Sequence, residues 1–366
     1  MTTSFGSAAP SPGSFADEEP ARAESPAPPV PLFSFLIPAY RTERWIGETL
    51  DSLLAQTRSD WEAVVVDNGN VDEMAAIIEP YTRDPRIRMI RQENRGYGGG
   101  INAAADVARG RWFVPLCSDD LVVEHYCASM AAAIEASPEV DVLSPDAEMF
   151  EDGTRRLFAQ TFVQNSGVAR RNVPEGDLTL ADIMQQQFLY YGSAFRREAW
   201  QGVGGHGSDT PRVEDLDLWL RLVAGGWSVR AIPAVLGRYR VRADSMSHAP
   251  GSVDAFEDEA IHAFTRAARS SGRPEDLAAL DVAVRRLRYT SAIRRSRWAF
   301  LEGDIPAARV AARSALAQQR TLRAATILVG LTAAPGVLRR VRPWKQQFTR
   351  WALGVVAARK WGRRHL

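Results

Sequence analysis

The chain has 366 residues, 45 % hydrophobic and 24 % charged, with a formal net charge of +1, which allows a sizeable core in one large domain with an appendage, or in two domains. Only two cysteines occur, Cys117 and Cys127; this excludes a disulfide framework and a Cys/His metal site, and fits a reducing cytosol. The near-neutral balance hides an asymmetry, because from Thr321 onward there are ten Lys and Arg and no acidic residue.

Residues 1–30 are rich in Pro, Ala, Ser and Glu with few bulky apolar side chains. Such a stretch cannot offset the entropy of ordering and is expected to be a disordered tail. It lacks a basic head followed by an apolar run, so it reads as neither signal peptide nor membrane anchor, and a cytoplasmic location is expected. From Leu32 the run LFSFLIPAY predicts a buried strand closed by Pro38. Trp45, Leu50, Leu53 and Leu54 recur at helical spacing, and WEAVVVDNGN is a second apolar strand ending in turn residues. A helix around Asp72 to Tyr81, a strand IRMIRQ, a glycine-rich turn NRGYGGG, a helix INAAADVARG and a strand WFVPL follow. Helices alternating with nearly continuous apolar strands imply an α/β fold with a mostly parallel sheet covered on both faces.

The stretch WFVPLCSDDLVV closes a buried strand with adjacent aspartates, Asp119 and Asp120, which repel each other unless a cation sits beside them. Tyr40 and Glu43 follow the first strand, Asp67 the second, Asn94 to Gly100 the third and the aspartates the fourth. Ligands of such sheets bind outside the carboxyl ends of the strands, so this rim is a candidate active site. Each part also has a plain structural use: Asp67 as a turn former, the glycines as a flexible turn, the aspartates as a helix-capping pair.

Taken in order, IPAYRTERWIGETLDSLLAQT, VVVDNGN, ENRGYGGGINAAADVARGRWFVPLCSDD, GSAFRREAWQGVGG and VEDLDLWLRLVAGG resemble the inverting family-2 glycosyltransferases of the GT-A (Rossmann-like) fold, over roughly Phe33 to Ser247. The resemblance implies that Pro38, Ala39, Tyr40, Glu43 and Asp67 hold the nucleobase and ribose, and that Asn94, Gly96 and Asn102 lie under the nucleotide. It implies that Ser118, Asp119 and Asp120 match an aspartate-x-aspartate motif, with Asp119 and Asp120 binding Mg²⁺ or Mn²⁺ on the donor diphosphate. It makes Asp215 the catalytic base, with Glu214 as its orienting or acceptor-contacting neighbour and Asp217 structural. Gly192 and Ser193 would shape the donor-sugar and acceptor pocket, while Trp200 reads as core. Two positions depart from the family pattern: Cys117 stands for the first aspartate, and Arg242 stands where relatives often carry a histidine. Both imply weaker metal binding, with Arg242 taking part of the leaving-group charge.

Beyond Ala255 the pattern turns to Ala, Arg and Leu at helical spacing. RWAFLEGDIPAARVAARSALAQ predicts two helices joined at EGDIP, one ended by Gly303, the next capped by Asp304 with Pro306 in its first turn. The expected organisation is a disordered tail (1–30), a GT-A domain (31–250), a helical cap (251–320) and a basic amphipathic tail (321–366). Basic clusters beside Trp and Leu in that tail suit an anionic membrane surface, which would make the protein peripheral on the inner membrane face; a solvated tail or a nucleic-acid arm shares the composition. The leading reading is a glycosyltransferase using a nucleotide-diphosphate sugar donor and a saccharide or lipid-linked acceptor in polysaccharide or cell-envelope assembly, with no nucleic acid as partner. A catalytically impaired nucleotide-sugar-binding module and a nucleotidyltransferase of similar fold are the alternatives.

Overall fold

The computed structural model describes residues 1–2, 29–165, 176–185, 189–242 and 252–336, with side chains from 256 onward in the last stretch. Of the disordered tail expected over 1–30, residues 3–28 lie outside the described residues, as do the segment SMSH after Arg242 and the tail beyond residue 336.

The first half alternates strand and helix as the apolar periodicity requires: β1 (Phe33–Ala39), α1 (Ile46–Leu54), β2 (Trp61–Asp67), α2 (Asp72–Ile78), β3 (Ile87–Arg91), α3 (Gly96–Val107) and β4 (Trp112–Pro115). The expected helix to Tyr81 stops at Ile78 and tightens into a 3₁₀ turn over Glu79–Arg83, where Pro80 occupies the start of the turn. The glycine-rich turn is corrected more sharply, since the glycines open α3 itself and only Gly96, with φ +74°, takes a left-handed conformation.

There follow β5 (Leu121–Val122), α4 (Tyr126–Ala136), β6 (Val142–Glu151), the short α5 (Phe162–Asn165) and α6 (Leu180–Met184), β7 (Ala194–Arg196), α7 (Arg197–Gly202), α8 (Glu214–Ala224) and β8 (Val229–Val241). One eight-stranded sheet runs β3-β2-β1-β4-β7-β6-β8-β5. Its first four strands are parallel, as predicted, but β7 is antiparallel to both β4 and β6, and β5 is antiparallel to β8. Strands of two or three residues leave no periodicity to read. Between β6 and β8 the register slips around Asp146, next to Pro145 and opposite the stretch holding Pro233, where a missing N–H would break a regular ladder.

Period-two alternation sends Phe33, Phe35 and Ile37 to one face of β1, against α1 and Tyr126, and Leu36 to the other, with Ile101, Phe113 and Trp219. The second face continues into the helical region of α9 (Ser252–Ser271), α10 (Pro274–Glu302), α11 (Ile305–Gln318) and α12 (Leu322–Ala333). Ala263, Phe264, Ala267 and Ala283 join the core of Leu218 and Leu222, so α9 and the first half of α10 cover α8. Asp217 is buried between Arg221 and Arg266, as befits a structural carboxylate. Gly303, at φ +89°, ends α10, and Asp304 caps α11 by accepting from the Ala307 N–H at 2.9 Å. Among the described residues no helix is long and apolar enough to cross a membrane.

The buried Glu62 ties the parallel block together: it accepts from Ser34 Oγ at 2.7 Å, from the Gly110 N–H at 3.2 Å, from Arg88 at 3.1 Å and from Arg109 Nε at 3.0 Å. Burial pushes its pKa up, but the Arg109 N–H, the Ser34 hydroxyl and the arginines outweigh it, and the net shift is downward. A carboxylate with a depressed folded-state pKa stabilises above its unfolded pKa and loses that contribution as pH falls through the folded value. Glu62→Gln is therefore expected to cost about 3 kcal/mol at pH 7, with the deficit shrinking in acid; denaturant midpoints of both proteins at pH 7 and pH 4 check it.

Candidate active site

The carboxyl ends of β1 to β4 form a rim. On it Pro38 and Ala39 close β1, Tyr40 is exposed beneath the Arg41 guanidinium 5.1 Å from its ring, and Glu43 is half-buried. Asp67 is buried, accepting from the Val71 N–H at 3.2 Å and from Arg91 Nε at 2.9 Å. Beside it Asn68, also buried, accepts from Gln92 at 2.8 Å and from the Arg95 N–H at 3.2 Å, and donates to the Gly96 carbonyl at 2.8 Å. Asn94 accepts from the Gly96 N–H at 2.9 Å. The loop before α3 thus hangs on the Asn68 side chain, a contact the sequence reading missed although Asn68 stands next to the aspartate it singled out.

The α3 glycines allow close approach. A Cβ on Gly100 would lie 2.7 Å from Pro38 Cβ, and one on Gly98 would strike the Glu214 carboxylate. With hydrogen in that place, the Gly98 N–H donates to Glu214 Oε2 at 3.0 Å, so the carboxylate of α8 meets the amide end of α3. One turn further, Asn102 donates to the His206 carbonyl and accepts from the His206 N–H, both at 2.9 Å, which fixes the loop leading into α8. Gly192 and Ser193 lie behind the rim: the Gly192 carbonyl accepts from Tyr126 at 2.9 Å, and the fully buried Ser193 hydroxyl donates to the Tyr190 carbonyl. Trp200 is core, edge-on to Phe113 and Phe195.

At the end of β4 the backbone turns so that Asp120 N–H donates to the Cys117 carbonyl at 3.1 Å. Ser118 is buried, its hydroxyl 2.8 Å from that of Thr42. The cations that the aspartates require come from β8. Arg240, buried, donates its backbone N–H to Asp120 at 2.7 Å and its Nε to the Asp119 carbonyl at 2.7 Å, while its fork reaches Asp152 and Glu48. Arg242 Nε lies 3.2 Å from Asp119 Oδ2, its guanidinium 4.2 Å from the ring centre of Trp45. Burial, then the charge of Asp119, drives the Asp120 pKa well above the usual carboxylate range. Burial, then Asp120, Asp119 and Asp215, also raises the Cys117 thiol.

Cys117, Asp119 and Asp120 each offer a ligand atom within 4.8 Å of the others, and Asp120 Oδ2 is buried without a partner among the described residues. Two carboxylates that leave room for substrate phosphates are the donor set that Mg²⁺ or Mn²⁺ uses, so Asp119 and Asp120 fit such an ion, although Asp119 is already engaged by Arg242.

The opposite wall carries Glu214 and Asp215 at the start of α8, whose apolar side (Leu218, Leu220, Leu222) anchors it. Burial, then Asp215, raises Glu214 to about 8 against the opposing Gly98 N–H. The Asp215 side chain remains 44 % exposed toward the cleft, yet the surrounding walls desolvate it enough to raise it to about 6. Tyr97 links the two walls: burial, then the charges of Cys117, Asp215 and Glu214, pushes its phenol up. One cleft therefore has a carboxylate pair with arginine on one side and a second pair with split pKa values on the other.

Residues 34–197 match the family model for glycosyl transferase family 2. The chain is 39 % identical over 207 residues to the chondroitin synthase of Escherichia coli, covering 53 % of this chain and 26 % of that protein. It spans 39 %, 26 % and 27 % of the lengths of the first three curated relatives it matches. In structure it is similar to residues 1–349 of S. aureus TarS in complex with UDP-GlcNAc (TM-score 0.59, 18 % identity, 84 % of this chain and 91 % of that one). It is also similar to the Pyrobaculum calidifontis mannosyltransferase PcManGT in complex with GDP-Man and Mn²⁺ (TM-score 0.54, 20 % identity, 90 % and 86 %). With the strand-and-helix order, the acidic rim and these matches in agreement, the chain has the GT-A fold, and its residues 34–197 match glycosyl transferase family 2.

Proposed function

We propose that the protein is an inverting glycosyltransferase that moves a hexosyl group from a nucleoside-diphosphate sugar to a hydroxyl of a saccharide or lipid-linked acceptor in polysaccharide or cell-envelope glycan assembly. The observation that carries the reading is Asp215: a carboxylate fixed at a helix start, open to the cleft and raised to about 6, in the same cleft as the Cys117–Asp120 group. A base is most useful when its pKa lies near the working pH.

In this reading the acceptor hydroxyl gives its proton to Asp215 while its oxygen bonds to the anomeric carbon. On the opposite side the bond from that carbon to the diphosphate oxygen breaks, the electron pair leaves with the nucleoside diphosphate, and configuration inverts. Glu214, raised to about 8, stays protonated near neutrality and spares Asp215 a second negative neighbour. Pro38, Ala39, Tyr40, Glu43 and Asp67 hold the nucleoside, Asn94, Gly96 and Asn102 support it, and Gly192 with Ser193 backs the sugar pocket. A divalent cation held by Asp119 and Asp120 screens charge on the leaving diphosphate when bound. Arg242, already beside Asp119, carries part of that task, which makes metal dependence weaker than two free aspartates would give. The nucleotide-sugar complexes of TarS and PcManGT, the latter with Mn²⁺, support the donor class.

A cytoplasmic protein resting on an anionic membrane is part of the same proposal. Exposed Trp298 shares a groove of about 440 Å³ with Arg297 and Arg323, and exposed Leu322 shares one of about 510 Å³ with Arg313 and Arg320. No acidic residue follows Asp304 to oppose them.

Three outcomes are expected. Asp215→Asn should lower kcat by about 10² to 10⁴, and wild-type activity should fall as pH drops through about 6, where the base becomes protonated; steady-state assays across pH 5–8 check both, and nucleoside diphosphate rather than pyrophosphate must be released. Calorimetry with UDP, GDP and dTDP should show one nucleotide binding, strengthened by Mn²⁺ but not abolished by chelator, and weakened by Arg242→Ala. In sedimentation with vesicles, the full chain should bind anionic phosphatidylglycerol membranes over neutral phosphatidylcholine ones, and Trp298→Ala with Arg323→Glu should weaken that binding.

A further inference from the structure

The loop between α7 and α8 makes two consecutive left-handed steps, at Gly204 (φ +74°) and Gly205 (φ +65°), and then drives His206 inward. The reciprocal Asn102 bonds hold its main chain, and the ring packs edge-on between Tyr97 and Trp200, at 5.6 and 5.4 Å between centroids. The imidazole is 1 % exposed, and neither nitrogen meets full hydrogen-bond geometry with a described residue; the Glu214 backbone is a weak partner. Burial, only partly offset by that backbone contact, lowers its pKa to about 4, so the ring is neutral and carries one N–H. A buried N–H without a well-formed partner costs up to about 1–3 kcal/mol. An apolar ring would fill the space between Tyr97 and Trp200 without that cost, so packing does not account for an imidazole here.

The carboxylate nearest to it is that of Asp215, with Oδ1 3.9 Å from His206 Nε2. The other ionisable groups around the ring are Glu214, Asp217 and Arg221 on α8 and Tyr97 on α3. Asp217 and Arg221 are bonded to each other, and Glu214 is turned toward Gly98. Among the described residues, Asp215 is the one of these carboxylates with no hydrogen bond of its own, and it is 44 % exposed.

We propose that His206 is a positioning residue for Asp215: the imidazole N–H closes on Oδ1 as the acceptor binds, and so aims Oδ2 at the acceptor hydroxyl. The inference rests on the reading of Asp215 as the base. A gap of 3.9 Å narrows to hydrogen-bond length by a small rotation of the exposed carboxylate. A donor to the charged form also holds a carboxylate's pKa down, so the imidazole limits the upward pull of the cleft walls.

The test is His206→Phe, which keeps an aromatic ring between Tyr97 and Trp200, beside His206→Gln, which keeps an N–H. In His206→Phe we expect kcat to fall about 10- to 100-fold, the acid limb of the kcat–pH profile to move to higher pH, and the donor KM to stay within about twofold, because donor contacts are untouched. His206→Gln should recover part of the rate and return the acid limb toward the wild-type position. If both variants keep wild-type kcat and pH profile while Asp215→Asn is inactive, the ring only packs and the inference fails while the base assignment stands. If Asp215→Asn is active, the base assignment falls and takes this inference with it. A His206→Phe protein that is unstable and loses donor binding, alongside a His206→Gln protein with an unchanged pH profile, would likewise overturn it.

Discussion

Adjacent aspartates at the end of a buried strand are tolerable only because a distant part of the chain returns positive charge to them. Arg240 lies among the last residues of β8 and Arg242 just past its end; Arg240 bonds the backbone and side chain of the Asp119–Asp120 pair, and Arg242 pairs with Asp119. The pairing of β5 with β8, Leu121 opposite Arg238 and Val122 opposite Gly237, brings the two ends together. The mixed half of the sheet thus has an electrostatic reason: it carries the arginines around to the rim that the parallel half builds.

A second long-range contact fixes the other wall. Glu214 meets the Gly98 N–H, and the Asn102–His206 pair lies one turn along, so α3 is bonded both to the start of α8 and to the loop that leads into it. A side chain at position 98 would push them apart. Because α3 descends from the loop that Asn68 holds, the rim after β2 and the Glu214–Asp215 side share one element. In the proposed reading, that coupling holds the carboxylate at the helix start in the fixed position that proton transfer requires.

The repeating half of the fold was legible because buried parallel strands and amphipathic helices leave different apolar periods. The positions of Asp67, Asp119, Glu214 and Asp215 were legible because each follows or opens such an element. What was hidden depended on pairing across the chain. Strands as short as β5 and β7 carry no period. Arg91 and Arg240 look like ordinary surface arginines until Asp67 and the aspartate pair are placed beside them. His206, in a loop bounded by glycines, carries no helical or strand signal; the paired glycines before it marked a forced turn but not its direction. The glycine run was misjudged for a related reason, since glycines that serve close approach inside a helix look in sequence like glycines that serve a turn.

The ion pair between Arg242 and Asp119 bears on how a donor would enter the proposed site. As the protein stands, the two charges satisfy each other, and Arg242 is steadied by Trp45 and Asp119 together. A diphosphate brings two phosphates to a planar guanidinium that can bond them with two parallel N–H groups. In the proposed reading, an Arg242 fork turned to the diphosphate would give up its 3.2 Å contact with Asp119, which stays partly buried beside Asp120 and Arg240. That rearrangement would make Asp119 more available to a divalent ion held by Asp119 and Asp120, which would screen the phosphates. Donor and cation would then bind with positive coupling, the arginine beside Asp119 tying the cation's place to the presence of the donor.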